Sequence, residues 1–330
     1  MDKKENQMKH ALIIGITGCF GHHVATALHQ QGYALSTLMR DPARLPGEFD
    51  GVRITRGQIE DLNCVRQAAK NADILIYAAN PANYDWEGKA VEWLENAIQV
   101  AIENQMTLVF PANVYVLNPA DGPDFTEHSP LSPIQPLGHI RLLMEQRLQQ
   151  ASLQGVKVIM LRMGDFIGAN ASSAWAQHLI KPARKHYTVL YPGDPARIHS
   201  WAYLPDAANV ITSLLDKSAQ LPMFNLFHFR GYQINMQQFA DAVSRASELP
   251  VKLKPFPWWF FRTGSVFSKL FTRLIQMRYL WNEEVNLIDN KLIQTVGPYK
   301  QTRLEQALIE AGLVKSVVHQ ASKEIHPVSE

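Results

Sequence analysis

The stretch that decides the fold is Ala11-Leu-Ile-Ile-Gly15-Ile-Thr17-Gly18-Cys19-Phe20-Gly21. Its apolar start, residues 11–14, is too short for an amphipathic helix and predicts a buried parallel strand. The following segment, His22–Gln31, carries apolar residues at helical spacing and is followed by Gly32, a residue type that often ends helices. A strand, a glycine-rich loop and a helix in this order predict a site for the pyrophosphate of a dinucleotide.

Each glycine of this loop has an expected task. Gly15 allows a tight turn, Gly18 allows the backbone to approach a phosphate, and Gly21 allows the helix to pack on the strand. Around the same anion we expect the loop residues Thr17, Cys19 and Phe20. The spacing Gly-x-x-Gly-x-x-Gly differs from the commoner Gly-x-Gly-x-x-Gly, and an ordinary strand–turn–helix with three glycines is the alternative.

The residues after the second predicted strand bear on which dinucleotide would bind. That strand, residues 34–39, is followed by Arg40, Asp41 and Arg44. A guanidinium suits a phosphate dianion because its N–H donors form a rigid fork. We therefore predict that NADP(H) is preferred over NAD(H). Solvated loop charges are the alternative for both arginines, and Asp41 keeps NAD(H) open because an acidic residue can bind a free ribose hydroxyl.

The whole chain excludes several classes of protein. It has 330 residues, 46% of them hydrophobic and 19% charged, with a formal net charge of +2. This suits one large domain or two interleaved ones, and no strong basic field points to nucleic acid. Residues 1–9 lack the apolar stretch of a secretory signal, and no run approaches the roughly 18 apolar residues of a membrane span. Cys19 and Cys64 form neither a disulfide framework nor a metal-site pattern. We expect a soluble cytoplasmic protein without a metal site.

Short apolar runs alternate with helical segments along the first two thirds of the chain. The predicted strands are residues 11–14, 34–39, 52–55, 74–78, 108–110, 156–161 and 224–227. The helical segments between them include residues 63–71, 89–104 and 141–154. This alternation predicts an α/β fold with a doubly wound parallel Rossmann sheet. Later helices are predicted at residues 236–248, 264–280, 285–296 and 303–311.

The pattern becomes irregular and aromatic from about residue 166. We therefore expect residues 9–165, with about 198–230 returning to them, to bind the dinucleotide. Residues 166–197 and 231–315 would form a smaller, mostly helical substrate or cap region, and 316–330 a tail.

One segment of the cap region, residues 251–282, combines six basic residues with many aromatic ones and has no acidic residue. Its composition fits a membrane-surface helix, a lid over an anionic or amphiphilic substrate, or a helical cap with inward aromatics and solvated charges.

Several motifs, taken in order, resemble one protein family. They are Gly15-Ile-Thr-Gly18-Cys-Phe-Gly21, Gly57-Gln58-Ile59-Glu-Asp61, Asp73-Ile-Leu-Ile-Tyr77-Ala78-Ala79, Val109-Phe-Pro111-Ala-Asn113-Val-Tyr115, Leu161-Arg162-Met-Gly-Asp165-Phe-Ile-Gly168, Tyr191-Pro-Gly193 and Trp201-Ala-Tyr-Leu-Pro-Asp206. In these motifs the chain resembles the extended short-chain dehydrogenase/reductase superfamily, in its NAD-dependent epimerase/dehydratase group. The resemblance covers roughly residues 9–315.

The resemblance implies roles for particular residues. Gln58 and Ile59 would contact the adenine, although the family usually has Asp at the position of Gln58, and an amide can still hydrogen-bond an adenine edge. A wall beside the nicotinamide is implied for Ala78, Ala79 and Asn80. Arg197 and His199 match positions where family members often contact nucleotide-sugar phosphates. The family's habit of dimerising makes a homodimer an expectation.

The departures from the family concern its catalytic residues. The resemblance implies a Tyr–Lys pair, but Leu137 and Arg141 stand at those positions, and Pro111 replaces the Ser or Thr. Leucine cannot transfer a proton, and proline carries no hydroxyl. Arg141 can bind the nicotinamide ribose and supply charge, but it stays protonated near neutral pH. The chain is therefore expected to be an atypical member.

Three alternatives follow for its chemistry. In the first, another group takes the place of the tyrosine: Tyr115, His139 or Asn113, of which Asn113 is also a candidate substrate contact. Alternatively, the protein binds NADP(H) without turnover, as a regulatory or redox-sensing partner. As a third alternative, hydride transfer proceeds with water as the proton source. The substrate would be a nucleotide-sugar or another small compound with a carbonyl or hydroxyl group.

Overall fold

A computed structural model describes residues 9–171, 174–265 and 268–315. Its strands are β1 (His10–Ile14), β2 (Ala34–Met39), β3 (Arg53–Arg56), β4 (Ile74–Tyr77), β5 (Thr107–Asn113), β6 (Asp124–Phe125), β7 (Lys157–Met163), β8 (Asp165–Ile167), β9 (Ile180–Pro182), β10 (Tyr187–Tyr191), β11 (His199–Tyr203), β12 (Phe224–His228), β13 (Tyr232–Ile234), β14 (Val251–Pro255) and β15 (Asn286–Leu287). Its helices are α1 (Cys19–Gln30), α2 (Leu62–Ala68), α3 (Ala90–Glu103), α4 (Pro136–Ser152), α5 (Trp175–Leu179), α6 (Leu204–Asp216), α7 (Met236–Ser247), α8 (Trp258–Gly264), α9 (Lys269–Gln276), α10 (Asn290–Val296) and α11 (Leu304–Glu310). The predicted tail, 316–330, lies outside the described residues.

A seven-stranded sheet forms the centre, in the order β12-β7-β5-β4-β1-β2-β3. All six pairings in it are parallel, which confirms the predicted α/β class. The chain order reverses at β1, between β2 and β4. In such sheets ligands bind at the carboxyl ends of the strands beside this reversal, which is where Gly15 and Ala78 follow β1 and β4.

The strands are apolar on both faces because helices cover both faces of the sheet. Leu12 and Ile14 of β1 point into the hydrophobic core on the side of α2, α3 and α4. Ala11 and Ile13 point into the core on the side of α1 and α6. A third core, remote from the sheet, is formed by α5, α7, α11 and the strands around them.

The structure has three small sheets besides the central one. β8, β11 and β13 form the first, and β9, β10 and β14 the second, while β6 pairs with β15. β8 begins two residues after β7 ends, and it pairs in parallel with β11, so that Asp165 stands opposite Trp201. This pairing brings the start of β11 to the carboxyl end of the central sheet.

Two sequence predictions about late elements were wrong. Among the described residues of the predicted helix 264–280, only Lys269–Gln276 form an α-helix within it, α9; α8 already ends at Gly264, and a 3-10 turn follows α9 at Met277–Trp281. Within the predicted helix 285–296, the structure has β15 first and only then α10. Asp206 lies inside the first turn of α6, where its carboxylate accepts hydrogen bonds from the backbone N–H and hydroxyl of Thr302.

Candidate functional site

The glycine-rich loop joins β1 to α1 in a tight turn. Gly15 has a φ of +96°, and a Cβ there would lie 2.7 Å from the carbonyl carbon of Ala78. A Cβ on Gly21 would lie 2.2 Å from the carbonyl oxygen of Gly15. The backbone N–H of Gly18 donates to that same oxygen at 2.9 Å. The first and third glycines therefore allow the loop, α1 and the end of β4 to pack closely.

The start of α1 is open to an anion. Gly18 is its N-cap, no side chain caps the helix, and its first turn contains no acidic residue. Its first N–H groups and the positive end of its dipole therefore remain available to a negatively charged group.

A cleft of about 1270 Å³ begins at this loop and reaches the C-terminal aromatic segments. Most of the sequence-predicted site residues line it: Gly15, Thr17, Gly18, Cys19, Phe20, Arg40, Arg44, Gln58, Ile59, Ala78, Ala79, Asn80, Asn113, Tyr115, Arg141 and His199. We call the part formed by residues 15–20, 40–44, 58–59 and 78–80 the glycine half. Gly21, His139 and Arg197 are not among the lining residues.

The arginines of the glycine half are free to meet a ligand. Arg40 and Arg44 are exposed, and within the described ranges neither makes a hydrogen bond or an ion pair to the protein. Asp41 between them is differently engaged, since its carboxylate accepts a hydrogen bond from the backbone N–H of Ala43 at 3.1 Å. Two guanidinium groups therefore border the cleft where β2 ends.

Arg141 lies deeper in the cleft, on α4. Its guanidinium carbon sits 4.6 Å from the ring centre of Trp86 and 5.3 Å from that of Phe110, and the residue is only 9% exposed. Its Nε has no partner among the described residues. Burial lowers its pKa, although the nearby Tyr115 and Tyr77 oppose that shift. Leu137, four residues earlier, is fully buried in the core below the cleft and does not line it.

Tyr115 follows β5 on a 3-10 turn that Asn113 stabilises. The side-chain oxygen of Asn113 accepts a hydrogen bond from the backbone N–H of Tyr115 at 3.1 Å. The Tyr115 ring stacks on Trp86, with ring centres 6.1 Å apart. Burial raises the pKa of Tyr115 well above its ordinary value, and the neighbouring Tyr84 and Asp165 add to the shift. Tyr115 therefore presents a protonated phenol to the cleft at neutral pH.

A histidine–carboxylate pair, which the sequence did not predict, also lines the cleft. Nε2 of His199 lies 2.6 Å from Oδ2 of Asp165. The imidazole stacks face to face on the indole of Trp281, with centres 3.8 Å apart and planes 7° apart. We call Tyr115, Arg141, Asp165 and His199 together the junction.

A buried ion pair fixes the floor of the junction. The guanidinium of Arg162, with no exposed surface, donates to both carboxylate oxygens of Glu145, at 3.1 and 2.8 Å. It also donates to the backbone carbonyl of Asn113. The ion pair thus connects α4, which carries Arg141, with the ends of β5 and β7, which lead into Tyr115 and Asp165.

Aromatic side chains line the far part of the cleft, which we call the aromatic half. They are Trp175, Phe256, Phe260, Phe261, Phe271 and Trp281. Most of them belong to the segment 251–282, which therefore covers the cleft; its Phe267 lies outside the described residues. Two aromatic residues of α8 are exposed nonetheless: Trp259 by 70% and Phe260 by 51%.

Contacts between neighbouring side chains connect the three parts. Tyr84, which follows the residues 78–80 of the glycine half, contacts Trp86 with ring centres 5.5 Å apart, and Trp86 stacks on Tyr115 of the junction at 6.1 Å. Asp165 then pairs with His199, and His199 stacks on Trp281, whose ring contacts Trp175. The glycine half, the junction and the aromatic half are thus one continuous site.

Two predicted site residues lie apart from the cleft. His139 is exposed on α4, and Arg197 is exposed and pairs with Asp194 at 3.5 Å. The sequence analysis did not identify Tyr84, Trp86, Asp165 or Trp281 as residues of the site.

Among the residues that the structure describes, no helix is long and apolar enough to span a membrane, and no three His, Cys, Asp or Glu side chains are grouped to hold a metal ion.

Solved structures share this fold at low sequence identity. A monomeric L-threonine 3-dehydrogenase from a metagenome has a TM-score of 0.72 at 12% identity, over 92% of this chain and 98% of that one. MoeE5 in complex with UDP-glucose and NAD has a TM-score of 0.71 at 16% identity, over 95% and 99%. The enzyme WbmH of Bordetella bronchiseptica in complex with NAD+ has 0.68 at 16%, over 96% and 99%.

Sequence comparison assigns the chain to a family. No curated protein matches the chain. The profile of the NAD dependent epimerase/dehydratase family matches residues 11–226, more than half of the sequence, and so confirms the resemblance seen in the motifs. The chain therefore belongs to the NAD dependent epimerase/dehydratase family.

Proposed function

We propose that the protein is an NADP(H)-dependent oxidoreductase that acts on a carbonyl or hydroxyl group of a small molecule. The observation that carries this proposal is the continuous cleft, because it joins a phosphate-binding loop to a phenol and a guanidinium and then to an open substrate space. In this proposal residues 9–165 and about 198–230 hold the cofactor. Residues 166–197 and 231–315 hold the substrate.

The cofactor would lie along the glycine half. Its pyrophosphate would meet the start of α1, its adenine Gln58 and Ile59, and its nicotinamide end Ala78, Ala79 and Asn80. The family and the NAD complexes of WbmH and MoeE5 support a nicotinamide dinucleotide in general.

Arg40 and Arg44, which follow β2, favour NADP(H), the form of the cofactor that carries a 2′-phosphate. Arg40 and Arg44 are exposed and have no protein partner among the described residues, so both guanidiniums can turn to a phosphate. Asp41, which would favour a free ribose hydroxyl, already accepts a hydrogen bond from Ala43. These contacts support NADP(H) over NAD(H).

Tyr115 would supply the proton. The bound cofactor supplies or accepts a hydride; in the reducing direction, the carbonyl carbon gains that hydride and its oxygen gains a proton. Burial raises the pKa of Tyr115, so the phenol keeps its proton at neutral pH and is by itself a weak acid. The nearby charge of Arg141 acts in the opposite direction, lowers that pKa and would favour release of the proton to the substrate oxygen. Arg141, permanently charged, would bind the nicotinamide ribose and stabilise negative charge that develops on the substrate oxygen.

A second candidate is a non-catalytic regulator that binds NADP(H). It is favoured by Leu137, which is buried in the core at the position of the family's tyrosine. A regulator would be expected to fill the substrate space with apolar side chains, however, and here the space is open and lined by a phenol and a histidine–carboxylate pair. The enzyme is therefore the better-supported candidate.

Titration with NADPH and NADH tests the cofactor part of this proposal. Tight NADPH binding by the wild type should be lost in Gly15→Ala, because the new Cβ meets Ala78 and the φ of +96° strains an alanine. Gly32→Ala is the matched control: its φ is +80°, but nothing lies within 4 Å of the new Cβ and the position is away from the cleft. Tighter binding of NADH than of NADPH would contradict the stated preference.

A further inference from the structure

The aromatic half forms a continuous apolar surface. Ring centres lie 5.3 Å apart for Trp281 and Trp175, 5.6 Å for Trp175 and Phe256, and 5.0 Å for Phe256 and Phe261. Phe261 contacts Phe271 at 4.7 Å, and Phe260, half-exposed, stands at the rim. This surface starts at the junction, where Trp281 stacks on His199, and ends at solvent.

Positive charge is scarce along this surface. Among the described residues, Lys181 is the one lysine or arginine that lines the cleft outside the glycine half and the junction. Two other cations of the region have partners: Arg273 pairs with Glu87 at 3.2 Å, and Arg278 lies over the ring of Trp258 at 5.4 Å. The remaining basic residues of the segment 251–282 do not line the cleft: Lys252, Lys254, Arg262 and Lys269. Arg197 is outside the cleft.

A nucleotide-sugar is a poor fit to this environment. Its diphosphate carries two negative charges, which proteins usually hold with arginine forks or helix N-termini. His199, one of the two residues expected to contact phosphates, is instead paired with a carboxylate that also lines the cleft, and a carboxylate repels phosphate. An apolar molecule, by contrast, gains free energy by removing both its own surface and the aromatic rings from water.

We propose that the substrate is an apolar alcohol or carbonyl compound whose hydrocarbon part occupies the aromatic half and whose oxygen reaches Tyr115. This inference rests on the proposed function and specifies its substrate class. The substrate enters past Phe260, and its hydrocarbon part lies against Phe261, Phe271 and Trp281.

The test measures the binding of hexanol, octanol and decanol to the NADP+-saturated protein by tryptophan fluorescence, with UDP-glucose as the polar competitor. The dissociation constant should fall by up to about fourfold for each added CH₂, as transfer of a CH₂ from water allows. UDP-glucose should not displace decanol. Turnover of the same alcohols is followed by the absorbance of the reduced cofactor.

Two neighbouring residues of α8 provide a matched pair of variants. Phe260→Glu places a carboxylate at the rim of the aromatic half and should weaken decanol binding by about tenfold or more. Trp259→Glu makes the same change on the next residue, which is more exposed and does not line the cleft, and should leave decanol binding within about twofold of the wild type. Because both side chains are exposed, both variants should fold.

The outcomes separate the substrate class from the proposed function. Failure to bind NADP+ would defeat the proposed function itself. With NADP+ bound, affinity that is independent of chain length, or displacement of decanol by UDP-glucose, would overturn the apolar substrate alone. Equal losses in the two variants would also overturn it, because the apolar contact would then lie on the outer face of α8, as a membrane-surface segment would have it.

Discussion

The glycine half and the aromatic half of one cleft are built in different ways. The glycine half comes from loops that directly follow β1, β2, β3 and β4, so chain order and sheet order together fix it. The aromatic half comes from α5, α8, α9 and the turn after α9, which are short elements outside the central sheet. The first is charged and offers backbone N–H groups, whereas the second is apolar. In the proposed function, the loops fixed by the order of the sheet would hold the cofactor, while the separately built aromatic wall would determine the substrate.

The largest effect is expected where the two halves meet. Tyr115→Phe removes the proposed proton donor and keeps the ring on Trp86, so kcat should fall by about 10²–10⁴-fold. NADPH affinity should stay within about threefold, since the cofactor contacts of the glycine half are intact. Steady-state kinetics with and without the substitution measure both quantities.

His199→Gln is the comparison for that variant, because His199 is the other group of the junction that could carry a proton. A larger loss of kcat in His199→Gln than in Tyr115→Phe would move the proton transfer to the histidine–carboxylate pair. It would leave the division between the two halves unchanged.

Loss of the buried ion pair between Arg162 and Glu145 should lower the stability of the region where the two halves meet. Glu145→Gln leaves the Arg162 guanidinium charged, buried and without its carboxylate, which should lower the free energy of unfolding by about 3–5 kcal/mol. The surface pair between Arg147 and Glu95 is the control, and Glu95→Gln should cost about 1 kcal/mol or less. Urea unfolding of the two variants gives the difference; equal costs would show that the Arg162 pair does not support the site.

A smaller and more selective effect is expected at the outer end of the glycine half. Arg40→Ala should weaken NADPH binding by about tenfold to a hundredfold, the value of a hydrogen bond to a charged group. NADH affinity should change by less than about twofold. Arg56→Ala, an exposed arginine that does not line the cleft, is the control and should alter neither affinity. An equal loss of affinity for NADPH and NADH would contradict the proposal that Arg40 binds the 2′-phosphate.

Acid should lower the free energy of unfolding, because two histidines are buried in and beside the central sheet. Burial lowers the pKa of His228 on β12 to about 3, and that of His23 on α1 to about 4. Because the unfolded chain binds these protons near pH 6.5, their stabilising contribution is complete above that pH and is lost as pH falls toward the folded values.

The loss should reach about 1.4 kcal/mol per pH unit for each histidine. Urea unfolding between about pH 7 and pH 4 measures this slope, and His228→Gln should reduce it. The exposed His139→Gln should not. An unchanged slope in His228→Gln would show that this histidine is not held neutral.

The sequence predicted the glycine half of the cleft better than the aromatic half. Gly15, Arg40 and Ala78 could be placed because each follows a strand of an alternating pattern, and parallel strands bring their carboxyl ends to one edge. The seven strands were predicted to within a few residues for the same reason. The single predicted helix at 264–280 was wrong because helical spacing does not show that Ser268 adopts an extended backbone as the N-cap of α9, or that a 3-10 turn follows α9.

Contacts between distant segments could not be predicted. Asp165 contacts His199 only because β8 pairs with β11, and the spacing of residues along the chain does not predict that pairing. Trp86 meets Tyr115 and Arg141 across separate loops. For Arg197 the sequence did contain a warning against a substrate role. Asp194 lies three residues before it, and the two form an exposed ion pair outside the cleft.

A crystal structure of the protein with NADP+ tests the central claim most directly. The account predicts the pyrophosphate at the start of α1, the 2′-phosphate between Arg40 and Arg44, and the nicotinamide facing the Tyr115 hydroxyl. The aromatic half should remain open beside the nicotinamide. A cofactor bound elsewhere, or a nicotinamide separated from Tyr115 by the side chains of the aromatic half, would contradict it.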